Sequence, residues 1–127
     1  MTWIFTPEKP IYLQIQEQLK LEIVSGGRPP GGKLPTVRDL AIDAAVNPNT
    51  VQRALAELER DGLVHTQRTS GRFVTQDEEL IMKLKNELAT ELINVFLEKM
   101  SAIGYSAADS AALVSAKGKE AGANGNT

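Results

Sequence analysis

Arg38, then Asn49, Thr50, Gln52 and Arg53, crowd polar hydrogen-bonding groups into a short stretch of the 127-residue chain. An Asn or Gln amide both donates and accepts, matching the paired bonds on offer at an adenine edge. Arg makes the equivalent fork to guanine, and a Thr methyl packs against the methyl of thymine. Such residues suit the reading of base edges; they also suit an ordinary solvated helix face. Covalent chemistry is poorly provided for. There is no cysteine, and His65 is the single histidine, which removes thiolate zinc sites, Cys nucleophiles and disulfides and leaves too few ligands for a His-based metal cluster or a Ser–His–Asp triad. Gly31-Gly32-Lys33 lacks the spacing of a phosphate-binding loop. No metal, cofactor or enzymatic activity is expected.

The elements that must position these residues are legible from their ends. Ile11, Ile15, Leu19 and Ile23 recur every four residues, with Tyr12 and Leu13 broadening the stripe, and predict a helix from Pro10 to Ser25 stopped by Gly26-Gly27. A second helix follows Pro35. Thr36 is its cap, Asp39 imitates the reciprocal half of a capping box, and its end falls near Asp43–Ala45. Asn47-Pro48 opens a third, since Asn caps well and Pro is favoured at the next position; Val51, Ala54, Leu55 and Leu58 are its buried stripe and Gly62 its stop. Two helices joined by so few residues match a helix-turn-helix. Leu63–Gln67 and Arg72–Thr75, linked by Arg68-Thr69-Ser70-Gly71, read as a β-hairpin. Three helices followed by a hairpin make a winged helix.

The net charge of −2 argues against a nucleic-acid binder until its distribution is considered. Residues 28–72 carry seven basic side chains against five acidic ones, and residues 77–127 carry five against eight. The sign of one face matters more for attracting phosphate than the total does. Apolar residues form 42% of the chain and charged ones 24%, ordinary globular values. No stretch is long and apolar enough to span a bilayer, and the N-terminus has no secretory pattern. A cytoplasmic location is expected.

The order and spacing of Leu34-Pro35-Thr36-Val37-Arg38-Asp39-Leu40-Ala41, Asn47-Pro48-Asn49-Thr50-Val51, Gly62-Leu63 and Ser70-Gly71-Arg72-Phe73-Val74 resemble the DNA-binding domain of the GntR family of bacterial transcriptional regulators. The family's P-x-Y-x-Q-I opening is matched from Pro10 to Ile15, so the resemblance covers residues 5–75. It implies a DNA-contacting role for Arg38. Thr36 stands where Ser is commoner and retains a hydroxyl for a cap or a phosphate. Pro48 and Gln52 stand where the family often has Arg, and Thr69 replaces the first wing glycine; the family's operator sequence is therefore not carried over. Arg68, Ser70, Gly71 and Arg72 are the wing residues expected at the minor groove, where narrow A·T tracts attract Arg. For Arg72 the alternative is simple outward alternation along a strand. Arg28 and Lys33 are read as loop charges. The wording of the turn and the short C-terminal part resemble the YtrA-like subfamily, which implies a small dimeric repressor.

From Asp77 the period is helical again. Ile81, Leu84, Leu88, Leu92, Val95 and Phe96 form an apolar seam wider than one short neighbouring helix, Ala107–Lys117, needs. Leaving large side chains in water forgoes about 1.5–3 kcal/mol each, so a second copy of the chain is the expected partner. The reading is thus an α+β chain: a winged helix-turn-helix over residues 1–76, a two-helix all-α dimerisation region over 77–117, and a disordered tail over 118–127. It binds double-stranded DNA as a homodimer on a palindromic operator, as a sequence-specific regulator. The competing reading is a winged helix that docks a protein and reads no bases. A small-molecule effector is left open, since two helices are not expected to enclose a pocket of ~300 Å³ within one subunit.

Overall fold

The computed structural model describes the backbone of residues 3–124 and the side chains of residues 3–122. In chain order the elements are α1 (Ile11–Val24), α2 (Val37–Ala44), α3 (Pro48–Arg60), β1 (Val64–Gln67), β2 (Gly71–Val74), α4 (Glu78–Ala102) and α5 (Ala107–Asn124). This is the α+β order expected, a winged helix-turn-helix followed by two helices. The chain divides into two compact units, one ending at Lys85 and the other starting at Asn86.

In the first unit, Ile15, Leu19 and Ile23 of α1 are buried with Leu40 of α2 and with Val51, Ala54, Leu55 and Leu58 of α3. Ile11, the first residue of the expected stripe, stays exposed. Pro10 stands at the cap of α1, one residue before the first helical position expected for it. Gln14 holds the segment ahead of the helix. Its carbonyl accepts from the Thr6 backbone N–H at 2.9 Å, and its amide donates to the Thr6 and Lys9 carbonyls at 2.8 Å each. Arg28, read as a loop charge, instead donates its Nε–H to Glu22 at 2.7 Å just beyond the end of α1.

Helices α2 and α3 begin where the caps place them. The Thr36 hydroxyl oxygen accepts from the Asp39 N–H at 3.0 Å, and the Asn47 side chain accepts from the Asn49 N–H at 2.8 Å with Pro48 in the first turn. Each cap satisfies a donor that has no partner inside its helix. Of the capping box at α2, the half donated by the Asp39 backbone is the one that forms. Between the helices the chain reverses at Ala45, which takes a left-handed conformation at φ 57°. Gly62 ends α3 at φ +82°, and a Cβ there would also meet Leu80 Cδ2 at 3.2 Å.

β1 and β2 pair antiparallel from Val64↔Val74 to Gln67↔Gly71, so β2 begins one residue earlier than expected. Residues 31–34 run along the other side of β2: Leu34 donates to the Arg72 carbonyl at 2.9 Å, and Val74 donates to that of Gly32 at 2.8 Å. Leu63, Val64 and Val74 close the core beneath the hairpin.

The first unit continues into α4. Leu84, expected on the seam offered to a partner, is only 8% exposed within its own chain. It falls among the first turns of α4, which belong to the winged-helix unit and not to the second unit. Ile81 and Leu88 are half-buried, whereas Leu92, Val95 and Phe96 are exposed.

In the second unit Ser106 and Asp109 form a reciprocal capping box at the start of α5, with bonds of 3.0 and 3.4 Å. Ser110 is fully buried and donates its hydroxyl to the Ser106 carbonyl. α5 does not stop at Lys117. It runs to Asn124, so residues 118–124 are helical where a disordered tail was expected; residues 125–127 lie outside the described residues. Gly118 and Gly122 cost about 1 kcal/mol each relative to Ala, and the alanines between and before them, with the Lys117–Glu120 pair one turn apart, carry the helix through. Phe96, Met100, Leu113 and Val114 line an open groove of about 510 Å³, and Ile93, Leu97 and Ala111 line another of about 420 Å³. Both are open depressions, because helices with no third layer over them leave their flanks uncovered.

Candidate nucleic-acid interface

α3 is sharply two-sided. Val51, Ala54, Leu55 and Leu58 face the core, while Asn49, Gln52 and Arg53 are exposed and Thr50 is half-buried. The Asn47 cap and Pro48 fix where this helix starts, and so which residues occupy its first turns. A helix entering the major groove presents those turns to base edges. Arg38 is exposed on α2 and lines an open groove of about 430 Å³ with Ile42, Ala45, Val46, Asn47 and Pro48, beside the start of α3. Thr36 is exposed, but its oxygen already serves as the cap of α2; its hydroxyl proton is the part left for a phosphate.

On the other flank of α3 the structure brings in α1. Ile11, Tyr12, Asn49, Thr50 and Arg53 line an open cleft of about 410 Å³. The Arg53 guanidinium carbon lies 3.8 Å from the centroid of the Tyr12 ring. Tyr12, which broadens the apolar stripe of α1 in sequence, lines this cleft beside Ile11, and no spacing in the sequence signals its contact with Arg53.

The wing presents Arg68 and Ser70 to solvent at the hairpin turn, with the Ser70 N–H donating to the Gln67 carbonyl at 3.1 Å. Gly71 sits at φ +111°, a region side chains disfavour, and a Cβ there would meet the Lys33 side chain at 3.1 Å. Lys33 is thus a wing residue, not a detached loop charge. Arg72 does not point freely outward. Its Nε–H donates to Glu59 Oε1 at 3.2 Å, and the same oxygen accepts from the Thr66 hydroxyl. Glu59 had no role in the sequence reading, and no local spacing signals its link to the hairpin. At the far end of α3, Arg60 pairs with Glu57 at 3.2 Å.

The structure therefore gathers Asn49, Thr50 and Arg53 at one cleft and Arg38 at the neighbouring groove. Gln52 stands on the exposed face between the core stripe and solvent, and the Arg68–Arg72 set is carried separately on the hairpin.

Residues 11–74 match the model of the bacterial regulatory proteins of the gntR family. The uncharacterized HTH-type transcriptional regulator YhcF of Bacillus subtilis is 43% identical over 79% of this chain and 83% of its own length. The HTH-type transcriptional repressor YtrA of the same organism is 46% identical over 54% of this chain and 52% of its own. Among solved structures, a GntR family transcriptional regulator from Listeria monocytogenes superposes with a TM-score of 0.82 at 40% identity, covering 87% of this chain and 97% of that one. The DNA-binding domain of AraR in complex with operator ORX1 superposes with a TM-score of 0.53 at 27% identity, over 57% of this chain and 93% of that one.

Proposed function

This chain belongs to the GntR family of bacterial regulatory proteins, and we propose that it is a repressor that binds a palindromic operator as a homodimer. It is a DNA-binding transcriptional regulator and not an enzyme. One observation carries the mechanism: the capped start of α3 exposes Asn49, Gln52 and the edge of Thr50 on the side opposite its buried stripe. In this reading those three meet base edges, while Arg38 and the wing residues Arg68, Ser70 and Gly71 meet the sugar–phosphate backbone and the minor groove, and Arg72 is held back on Glu59.

The homodimer is supported by Leu92, Val95 and Phe96, large apolar side chains left exposed on α4. Full burial of a fully exposed side chain is worth about 1.5–3 kcal/mol, and Leu92, at 72% exposed, has the most of this to recover, ahead of Val95 at 48% and Phe96 at 38%. Two copies related by a two-fold axis carry two α3 helices, and half-sites then fall one duplex turn apart or a multiple of it. The likeness to YtrA and the short helical C-terminal part support a place in the YtrA-like subfamily. No helix among the described residues is long and apolar enough to cross a membrane, and the reading puts the protein at the DNA of the bacterial cytoplasm.

The test is selection of bound duplexes from fragmented genomic DNA of the source, followed by affinity measurement across a salt series. Recovery of an inverted repeat, with log K falling by about 0.9 per phosphate neutralised for each unit of log salt, is the expected result. A chain that docks only proteins would retain no duplex at low salt.

A further inference from the structure

The contact between Tyr12 and Arg53 has a direction. Tyr12 is half-buried on α1 and Arg53 is exposed on α3, so the ring is the fixed partner and the guanidinium the tethered one. A cation 3.8 Å from a ring centroid is well within the range over which the aromatic face attracts it. The tether draws the Arg53 head sideways, off α3 and toward α1. A helix seated in the major groove has bases beneath it and sugar–phosphate strands along its flanks. A guanidinium pulled onto the neighbouring helix therefore meets a flank before it meets a base.

We propose that Tyr12 and Arg53 form a composite phosphate clamp on the DNA backbone, with Tyr12 as the positioning residue and Arg53 as the contact. Stacked on the ring, the guanidinium keeps its in-plane N–H donors free, and their fork matches two phosphate oxygens. The ring also removes rotamer freedom from a long side chain before binding, so less is lost when the phosphate arrives. Asn49 and Thr50 share the cleft, so the phosphate contact lies beside residues that face the bases without altering which bases they read. The assignment rests on duplex binding by this chain.

The experiment uses the full chain and a duplex that the wild type selects from a random library, with a panel of single-base variants of that duplex. Affinities are measured across a salt series for wild type, Arg53→Ala, Tyr12→Phe, Tyr12→Leu and the double variant Tyr12→Leu/Arg53→Ala. Arg53→Ala is expected to weaken every duplex about tenfold, and to make the salt slope shallower by about one phosphate per subunit. Tyr12→Leu should weaken binding about two- to fivefold, and the double variant should bind no worse than Arg53→Ala. Tyr12→Phe, which keeps the ring, should bind as the wild type does. A change of base preference in Arg53→Ala overturns the clamp while leaving duplex binding intact. So does full additivity of the two substitutions, or a loss in Tyr12→Phe equal to that in Tyr12→Leu. A wild type that binds no duplex overturns both the clamp and the DNA-binding reading beneath it.

Discussion

Glu59, in the last turns of α3, accepts the Arg72 Nε–H at 3.2 Å and the Thr66 hydroxyl on the same carboxylate oxygen. Both strands of the wing are thereby tied to the helix in front of them. The link holds the hairpin at a set angle to α3, and it also occupies the one wing arginine that lies on a strand. The two side chains are about a third exposed, at 30% for Arg72 and 35% for Glu59. A pair so open to solvent contributes about 0–1 kcal/mol to stability, so its consequence is chiefly for where Arg72 points.

Glu59→Gln keeps an acceptor for Thr66 and removes the charge that holds Arg72. Duplex affinity at low salt is expected to rise about two- to fivefold, as one fewer anion faces the DNA and Arg72 is free to meet it. The melting temperature should fall by no more than a few degrees. Unchanged affinity in a titration of this variant would show that Arg72 does not reach DNA even when released.

Arg38 and Gln52 are exposed on different helices and should fail differently. Arg38→Ala is expected to weaken all duplexes alike and to flatten the salt slope, the behaviour of a backbone contact. Gln52→Ala should alter which base is preferred at one position of each half-site, by about 1–3 kcal/mol of discrimination. Gel shifts over base-substituted operators separate the two. Equal losses on every sequence for both variants would remove Gln52 from base reading.

Ala45 carries a side chain at φ 57° and ψ 48° in the turn between α2 and α3. An L-residue in this region costs about 1–2 kcal/mol, partly offset by the extra unfolded-state freedom of glycine. Ala45→Gly should therefore raise unfolding stability, by up to about 1 kcal/mol, and Ala45→Val should lower it by more than that. Urea denaturation monitored by circular dichroism gives both values. A destabilised Ala45→Gly would mean that the methyl makes a packing contribution larger than the backbone strain.

Leu92 is 72% exposed in the single chain, so placing charge there should spare its fold. Leu92→Glu is expected to retain the helical circular dichroism signal while sedimenting as a monomer and losing most of its affinity for a two-half-site operator. A wild type that already sediments as a monomer at micromolar concentration would contradict the homodimer.

Element ends were legible in the amino-acid order because they depend on neighbours within one turn. Thr36 caps α2 through the N–H three residues on, and Asn47 caps α3 through the N–H two residues on. The buried stripe of α3 was equally plain, since four apolar residues at helical spacing have one face to share. The run of α5 beyond Lys117 was missed: glycine content suggested disorder, but it weighs only about 1 kcal/mol per residue against a helix already started.

Side-chain partnerships followed a different rule. Tyr12 meets Arg53 only because α1 packs against α3, and Glu59 meets Arg72 only because the hairpin folds back onto the end of that helix. Lys33 lies beside Gly71 because residues 31–34 run along β2. Each pair is distant in the chain, and no periodicity or cap relates its members. Local order thus determined which helices and strands exist and which face of each is apolar. Packing between them decided which charges are free and which are held, because an electrostatic partner is chosen by distance in space and the sequence carries distance only along the chain.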